Sequence, residues 1–332
     1  MRIAFFDAHR YEQEAFRAHN EAYGFDLVYL EPRLTALTAG LAQGFDVACS
    51  FVNDRVDAAA LKRLHEGGVR LVALRSAGYN HVDLSAAASL GMSVVRVPEY
   101  SPHAVAEHAV ALVLTLNRKI HRAHARVREG NFSLEGLVGF DLHGKTAGLV
   151  GLGRIGSCLA RILGGFGMTV LAHDARPDER LAGEVHYVDL PELYRRSHVI
   201  SLHVPLTPAT HHMVDATAIA QMRRGVMLVN TGRGALVDAR ALIEALKTGQ
   251  VGSAALDVYE EEEGVFFRDL SDRVLQDDVL ARLLTFPNVL VTSHQAFLTE
   301  EAIGNIAETT LANVAAFARG EPLANEVRVP PS

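Results

Sequence analysis

Residues 146–156 read TAGLVGLGRIG, an apolar run ending in Gly151-x-Gly153-x-x-Gly156 and opening onto the helical pattern SCLARILGGFG. Each glycine has its own task in cradling a diphosphate. Gly151 permits a tight turn, Gly153 lets backbone approach the phosphates, and Gly156 lets helix pack closely on strand. The start of the helix adds free N–H groups and a partial positive charge. A second apolar run, TVLAHD, ends in Asp174, 18 residues beyond Gly156. A carboxylate there accepts hydrogen bonds from ribose hydroxyls and repels a 2′-phosphate, which favours NAD over NADP. Arg176, two residues on, is the residue type that partners a 2′-phosphate and softens that preference.

Two further residues carry chemistry by position. Arg233 follows the apolar run VMLVN and lies between Gly232 and Gly234. Its planar guanidinium matches a carboxylate, and small neighbours leave room for one. His294 closes the run NVLVTSH, again where a strand should end. Most of the 16 histidines read as bland: His121, His124, His211 and His212 suit surface or helix positions. His103 and His108, five apart, fit neither helical spacing for a shared metal, so no metal is expected. A run of glutamates, Glu260 to Glu263, follows SAALDVY. Its residue types alone do not say whether one of them serves the histidine or all are solvated.

The elements that must position these groups are legible as an alternation. RIAFFDA, DLVYL, DVACS, LVALRS and SVVRVP read as strands separated by helical patterns. TAGLVGLG, TVLAHD, VHYVD, VISLHVP, VMLVNTGR, SAALDVY and NVLVTSH form a second series. Strands alternating with helices predict parallel sheets with crossover helices. Between the series, SPHAVAEHAVALVLTLNRKI predicts a helix with Ser101 as N-cap and Pro102 at its first position. TEEAIGNIAETTLANVAAFARG predicts another, opening at Thr299. These two helices are expected to cross between domains, giving residues 1–100 plus 299–332 as one domain and 101–298 as the other. The proline-bearing tail EPLANEVRVPPS is expected to be loose at its tip.

Bulk composition narrows the function classes. A chain of 332 residues suits two domains, and its net charge of −7 argues against nucleic acid as the main ligand. Cys49 and Cys158 lie apart in apolar contexts and read as buried thiols. The N-terminal run is broken at Asp7 before a signal core forms, and no window reaches the roughly 20 apolar residues of a membrane span. A cytoplasmic chain is expected. The apolar character of the helix from Ser101 onward suggests a homo-oligomer, a dimer or tetramer.

Taken together, RSAGYNHVDL, VPEYSPHAVAEH, GLVGLGRIG, SLHVPLTPATHHM, NTGRGALVD, LDVYEEEEG and NVLVTSHQAFLTEEA follow one another over nearly the whole chain. In this order they resemble the D-isomer-specific 2-hydroxyacid dehydrogenases, most closely the lactate branch. The resemblance implies an α/β fold of two doubly wound parallel-sheet domains, a Rossmann NAD-binding domain inserted in a flavodoxin-like substrate domain. It implies that Arg233 binds the substrate carboxylate and His294 is the general acid/base. Glu262, five residues after Asp257, would pair with the histidine and favour its charged form, with Glu260 next in line and Glu261 and Glu263 solvated. On the cofactor side it implies Arg154 and Ile155 in the diphosphate loop and His203-Val204-Pro205 along the adenosine half. Thr231, Gly232, Arg233 and His294 would also face the cofactor, and Asp257 the nicotinamide carboxamide. Substrate-lining residues would be Ser76, Ala77, Gly78, Tyr100 and Phe297, with Phe51 as an apolar wall. The implied reaction interconverts pyruvate with NADH and D-lactate with NAD. Bulkier keto acids, or an NAD-sensing binding protein, are the alternatives.

Overall fold

The computed structural model describes residues 1–329. Two compact units emerge, Met1–Ser101 with Phe297–Ser332, and Pro102–Ala296. Phe297 thus falls in the first unit, two residues before the expected crossing at Thr299.

In the first unit the strands are β1 (Arg2–Phe5), β2 (Asp26–Tyr29), β3 (Val47–Ser50), β4 (Leu71–Leu74) and β5 (Ser93–Val95). They form a parallel sheet in the order β2-β1-β3-β4-β5. Strands β3 and β4 are buried along their whole length, as strands covered on both faces must be, and this is why they read as unbroken apolar runs. Helix Ala58–Glu66 is capped by the Asp57 carboxylate and ends at Gly67, where the double glycine predicts a stop. Helix Glu300–Ala318 starts at Thr299, whose hydroxyl accepts from the Ala302 N–H, and it packs on helix Arg10–Asn20. Beyond it, Val327 N–H donates to Val94 O (2.8 Å), so the described tail covers the free edge of β5. The loose tip expected for the tail falls on residues 330–332, outside the described residues.

The second unit holds β6 (Thr146–Val150), β7 (Thr169–His173), β8 (His186–Tyr187), β9 (Val199–Leu202), β10 (Val226–Asn230), β11 (Val251–Leu256) and β12 (Val289–Val291). Their order is β12-β11-β10-β9-β6-β7-β8, all parallel. Chain direction across the sheet reverses between β6 and β9, the topological switch point where such sheets bind ligands beyond their carboxyl ends. Helix Pro102–Arg118 is apolar for an internal reason. It lies against helix Arg154–Gly165 and strands β10 to β12, and Ala106, Ala109, Leu112, Val113 and Leu116 are buried there within one chain. Its composition therefore carries no argument for self-association, contrary to the sequence reading.

Candidate active site

The turn after β6 is shaped around its glycines. Gly151 has φ +92°, and a Cβ on it would stand 2.7 Å from the His203 carbonyl. A Cβ on Gly156 would meet Gly151 O at 2.2 Å, so helix and turn touch through backbone. A Cβ on Gly153 would have nothing within 4 Å, which leaves open space at the N-terminus of helix Arg154–Gly165, where this glycine is the N-cap and supplies no side-chain cap. Arg154 and Ile155 form that helix's first residues. Asp174, at the end of β7, accepts from Leu152 N–H (2.6 Å) and Arg176 N–H (2.8 Å), fixing the turn to the next strand. His203 follows β9, its Nε2 is 2.8 Å from Ser201 Oγ, and burial pushes it down to about 4, so the ring is neutral at pH 7. Thr231 is buried and its hydroxyl has no hydrogen-bond partner among the described residues. An uncapped helix start, open space at Gly153 and an orphaned hydroxyl fit a bound dinucleotide.

Three neighbouring strands then present the catalytic candidates in register. Asn230 of β10 pairs with Leu256 of β11, and Leu256 with Val291 of β12. Arg233 lies three residues past the first, Glu262 six past the second, and His294 three past the third. The Arg233 turn is held by buried Asn230, which accepts from Gly232 N–H (3.0 Å) and donates to Arg233 O (2.9 Å). The half-buried guanidinium donates to Gly232 O (2.7 Å) and has no carboxylate partner among the described residues. A desolvated cation without a counter-ion suits an anionic ligand.

His294 has a left-handed backbone, φ 54°, a conformation that costs energy for a residue with a side chain and clusters at functional sites. The structure shows what enforces it. Its N–H donates to Asp257 O (2.7 Å), while the fully buried Asp257 carboxylate accepts from Thr292 Oγ1 (2.6 Å), Gln295 N–H (2.9 Å) and Ala296 N–H (3.0 Å). Burial alone would raise this carboxyl, but the bonds from His108, Thr292 and Ala296 outweigh it and hold Asp257 below the usual range. The sequence reading expects Asp257 at the nicotinamide carboxamide; in the structure its oxygens hold the loop that aims His294. His294 Nδ1 meets Glu262 Oε1 at 2.8 Å, and the other Glu262 oxygen accepts from Tyr259 N–H (3.1 Å). This pairing turns Nε2 away from the glutamate and leaves it for a reacting oxygen.

Of the remaining glutamates, Glu261 and Glu263 are exposed, and Glu260 lies on His212 instead. Sequence reasoning missed His108, whose Nε2 is 3.2 Å from Thr292 Oγ1 and 3.4 Å from Asp257 Oδ1. Its only signal was a polar residue on the inner face of an apolar helix.

The expected substrate-lining residues all fall in the first unit, outside its strands. Phe297 packs against Phe51 and Tyr100, with ring centroids 6.0 and 6.2 Å away. Ser76 Oγ donates to Gly78 O (2.7 Å) and Arg96 donates to Ala77 O (2.9 Å), fixing the Ser76-Ala77-Gly78 loop. Beneath them the fully buried Arg75 pairs with Glu12 (2.8 Å) and lies 5.2 Å from the Phe51 ring.

Residues 110–296 match the family model described as D-isomer specific 2-hydroxyacid dehydrogenase, NAD binding domain. The D-lactate dehydrogenase of Escherichia coli strain K12 is 51% identical over 328 residues, 98% of this chain and 100% of that protein. The chain belongs to the D-isomer specific 2-hydroxyacid dehydrogenases. A 2-hydroxyacid dehydrogenase homolog of Schizosaccharomyces pombe is 54% identical over 320 residues, covering 96% of each chain. Among solved structures, the pyruvate reductase of Chlamydomonas reinhardtii superposes with a TM-score of 0.94 at 46% identity, covering 98% of each chain. The protein is thus an NAD-dependent oxidoreductase of that family, with the doubly wound folds and Rossmann cofactor domain its sequence predicts. No helix among the described residues is long and apolar enough to cross a membrane.

Proposed function

We propose that this dehydrogenase interconverts pyruvate and D-lactate, with Arg233, His294 and Glu262 as its catalytic residues. The observation that carries the reading is the His294–Glu262 pair at 2.8 Å beside a turn that presents Arg233 without a counter-ion. Bound NADH supplies a hydride to the carbonyl carbon. Arg233 holds the substrate carboxylate in a planar two-point contact and stabilises charge on the carbonyl oxygen. Protonated His294 delivers a proton from Nε2 to that oxygen, and neutral His294 takes it back in the reverse direction. Glu262 holds Nδ1 and so orients the ring, and Asp257 positions His294 by fixing the 292–296 loop. Asp174 selects NAD through the ribose, and the turn from Gly151 to Gly156 with His203, Val204, Pro205, Thr231 and Gly232 lines the remainder of the cofactor.

A small substrate is supported by the aromatic group Phe51, Tyr100 and Phe297 and the fixed Ser76-Ala77-Gly78 loop. Relatives called D-lactate dehydrogenase and pyruvate reductase support it too. A panel of 2-keto acids assayed with NADH and NADPH tests this. Pyruvate with NADH should give the highest kcat/KM. Preference for phenylpyruvate or a branched keto acid would move the enzyme to a bulkier substrate, and no turnover at all would leave an NAD-binding protein. A cytoplasmic location goes with two free, buried cysteines, as a reducing compartment allows. Homo-oligomerisation is supported by Phe132, Leu134 and Val138, 75%, 80% and 84% exposed on one connecting segment. Light scattering on the purified chain measures it.

A further inference from the structure

We propose that His211, His212 and Glu260 form a binding site for a divalent transition metal of the zinc, nickel and copper class. One ring nitrogen of each histidine and a carboxylate oxygen of Glu260 lie within 4.8 Å of one another. Adjacent side chains in an extended segment point to opposite sides. His212 departs from this because its backbone is left-handed, φ 50°, with its N–H donating to Ala235 O at 2.8 Å. The two imidazoles therefore stack, centroids 4.0 Å apart. Facing them, Glu260 Oε1 lies 2.5 Å from His212 Nε2. His211 is exposed, and its ring makes no hydrogen bond to the described residues.

Two imidazoles and a carboxylate are the donor set of open zinc sites, with water completing a tetrahedron. Metal–ligand distances of roughly 2.0–2.2 Å place such donors about 3.4 Å apart. The widest separation, up to 4.8 Å, closes by about 1.4 Å, within reach of the exposed His211 ring, while the His212–Glu260 pair opens from 2.5 Å. Imidazole donors favour zinc, nickel and copper over magnesium and calcium. Binding replaces the His212–Glu260 hydrogen bond with two bonds to the ion. The site is separate from the catalytic residues but joined to them by backbone. Glu260 stands two residues before Glu262, and a Cβ on Gly234, next to Arg233, would lie 2.0 Å from the Tyr259 carbonyl carbon and 2.4 Å from Glu260 N. A metal held on Glu260 fixes the turn that carries Glu262.

Calorimetric titration of the untagged, chelator-treated full chain with Zn²⁺, with Mg²⁺ as control, tests the proposal. One saturable zinc per chain is expected, unaffected by magnesium. His211→Gln and Glu260→Gln should each weaken it by about tenfold or more. His294→Gln should leave it in place. His211→Gln should also keep wild-type NADH oxidation in the absence of metal, showing an intact fold. Visible absorption of the Co²⁺ form should show a tetrahedral spectrum lost in His211→Gln. Absence of saturable binding, equal binding by His211→Gln, or loss of the zinc on His294→Gln overturns the proposal and leaves His212–Glu260 as a structural pair.

Discussion

Arg233 and His294 were legible as residues because each closes an apolar run, and the strand register places both beyond the carboxyl ends of β10 and β12. The choice among the glutamates was not legible from residue types. All of them share a side chain and a loop, and only the fold sends Glu262 to His294 and Glu260 to His212. His108 was unreadable for a related reason, since its partner Thr292 is distant in sequence and arrives through the β12 loop. At this scale the account predicts the effect of Arg233→Lys. Lysine keeps the charge and loses the planar fork, about 1.5–3 kcal/mol of charged hydrogen bonding. The KM for pyruvate should rise by roughly tenfold to a hundredfold while the Kd for NADH, measured by fluorescence titration, stays put. Weaker NADH binding would instead make Arg233 a cofactor residue.

Among the elements, the turn after β10 and the loop after β11 act as one assembly. Gly234 is where they meet, because the Tyr259–Glu260 peptide occupies the space a side chain would need. Its glycine was visible in NTGRG, but read only as room around Arg233; the close approach comes from a segment over twenty residues away. Gly234→Ala should force the two loops apart. The expected cost is about 3 kcal/mol of stability, from overpacking against backbone that cannot step aside. It should come with a fall in kcat larger than any rise in KM, read from denaturant midpoints and steady-state kinetics. A variant with wild-type stability and kcat would show that the loops move independently.

Across the whole molecule, alternating strand and helix patterns were enough to expect both parallel sheets, because strands buried on both faces read as unbroken apolar runs. The apolar helix Pro102–Arg118 misled for the same reason: a helix buried on most sides by its own unit looks like one in need of a partner. Acid stability belongs to this scale as well. Burial pushes His203 down to about 4, and burial with the nearby Arg75 charge pushes His81 down to about 4. Both folded values lie below the ordinary one near 6.5, so the folded chain binds fewer protons. Their contribution is complete above pH 6.5 and is lost as pH falls toward 4. Asp54 works in the opposite sense, since burial raises it to about 6 and its contribution is lost as pH rises through that value. The thermal midpoint should fall between pH 7 and pH 5, and His203→Asn should flatten that slope; an unchanged slope would mean that His203 is not held neutral by the fold.

Production of lactate from pyruvate and NADH, with the enantiomer resolved by chiral chromatography, tests the central claim most directly when wild type and His294→Gln are run side by side. The wild type should form D-lactate in step with NADH loss. His294→Gln should still bind NADH but turn over about 10²–10⁴-fold more slowly, the usual contribution of a positioned acid/base. L-lactate from the wild type, or near-normal turnover by the variant, would contradict the account.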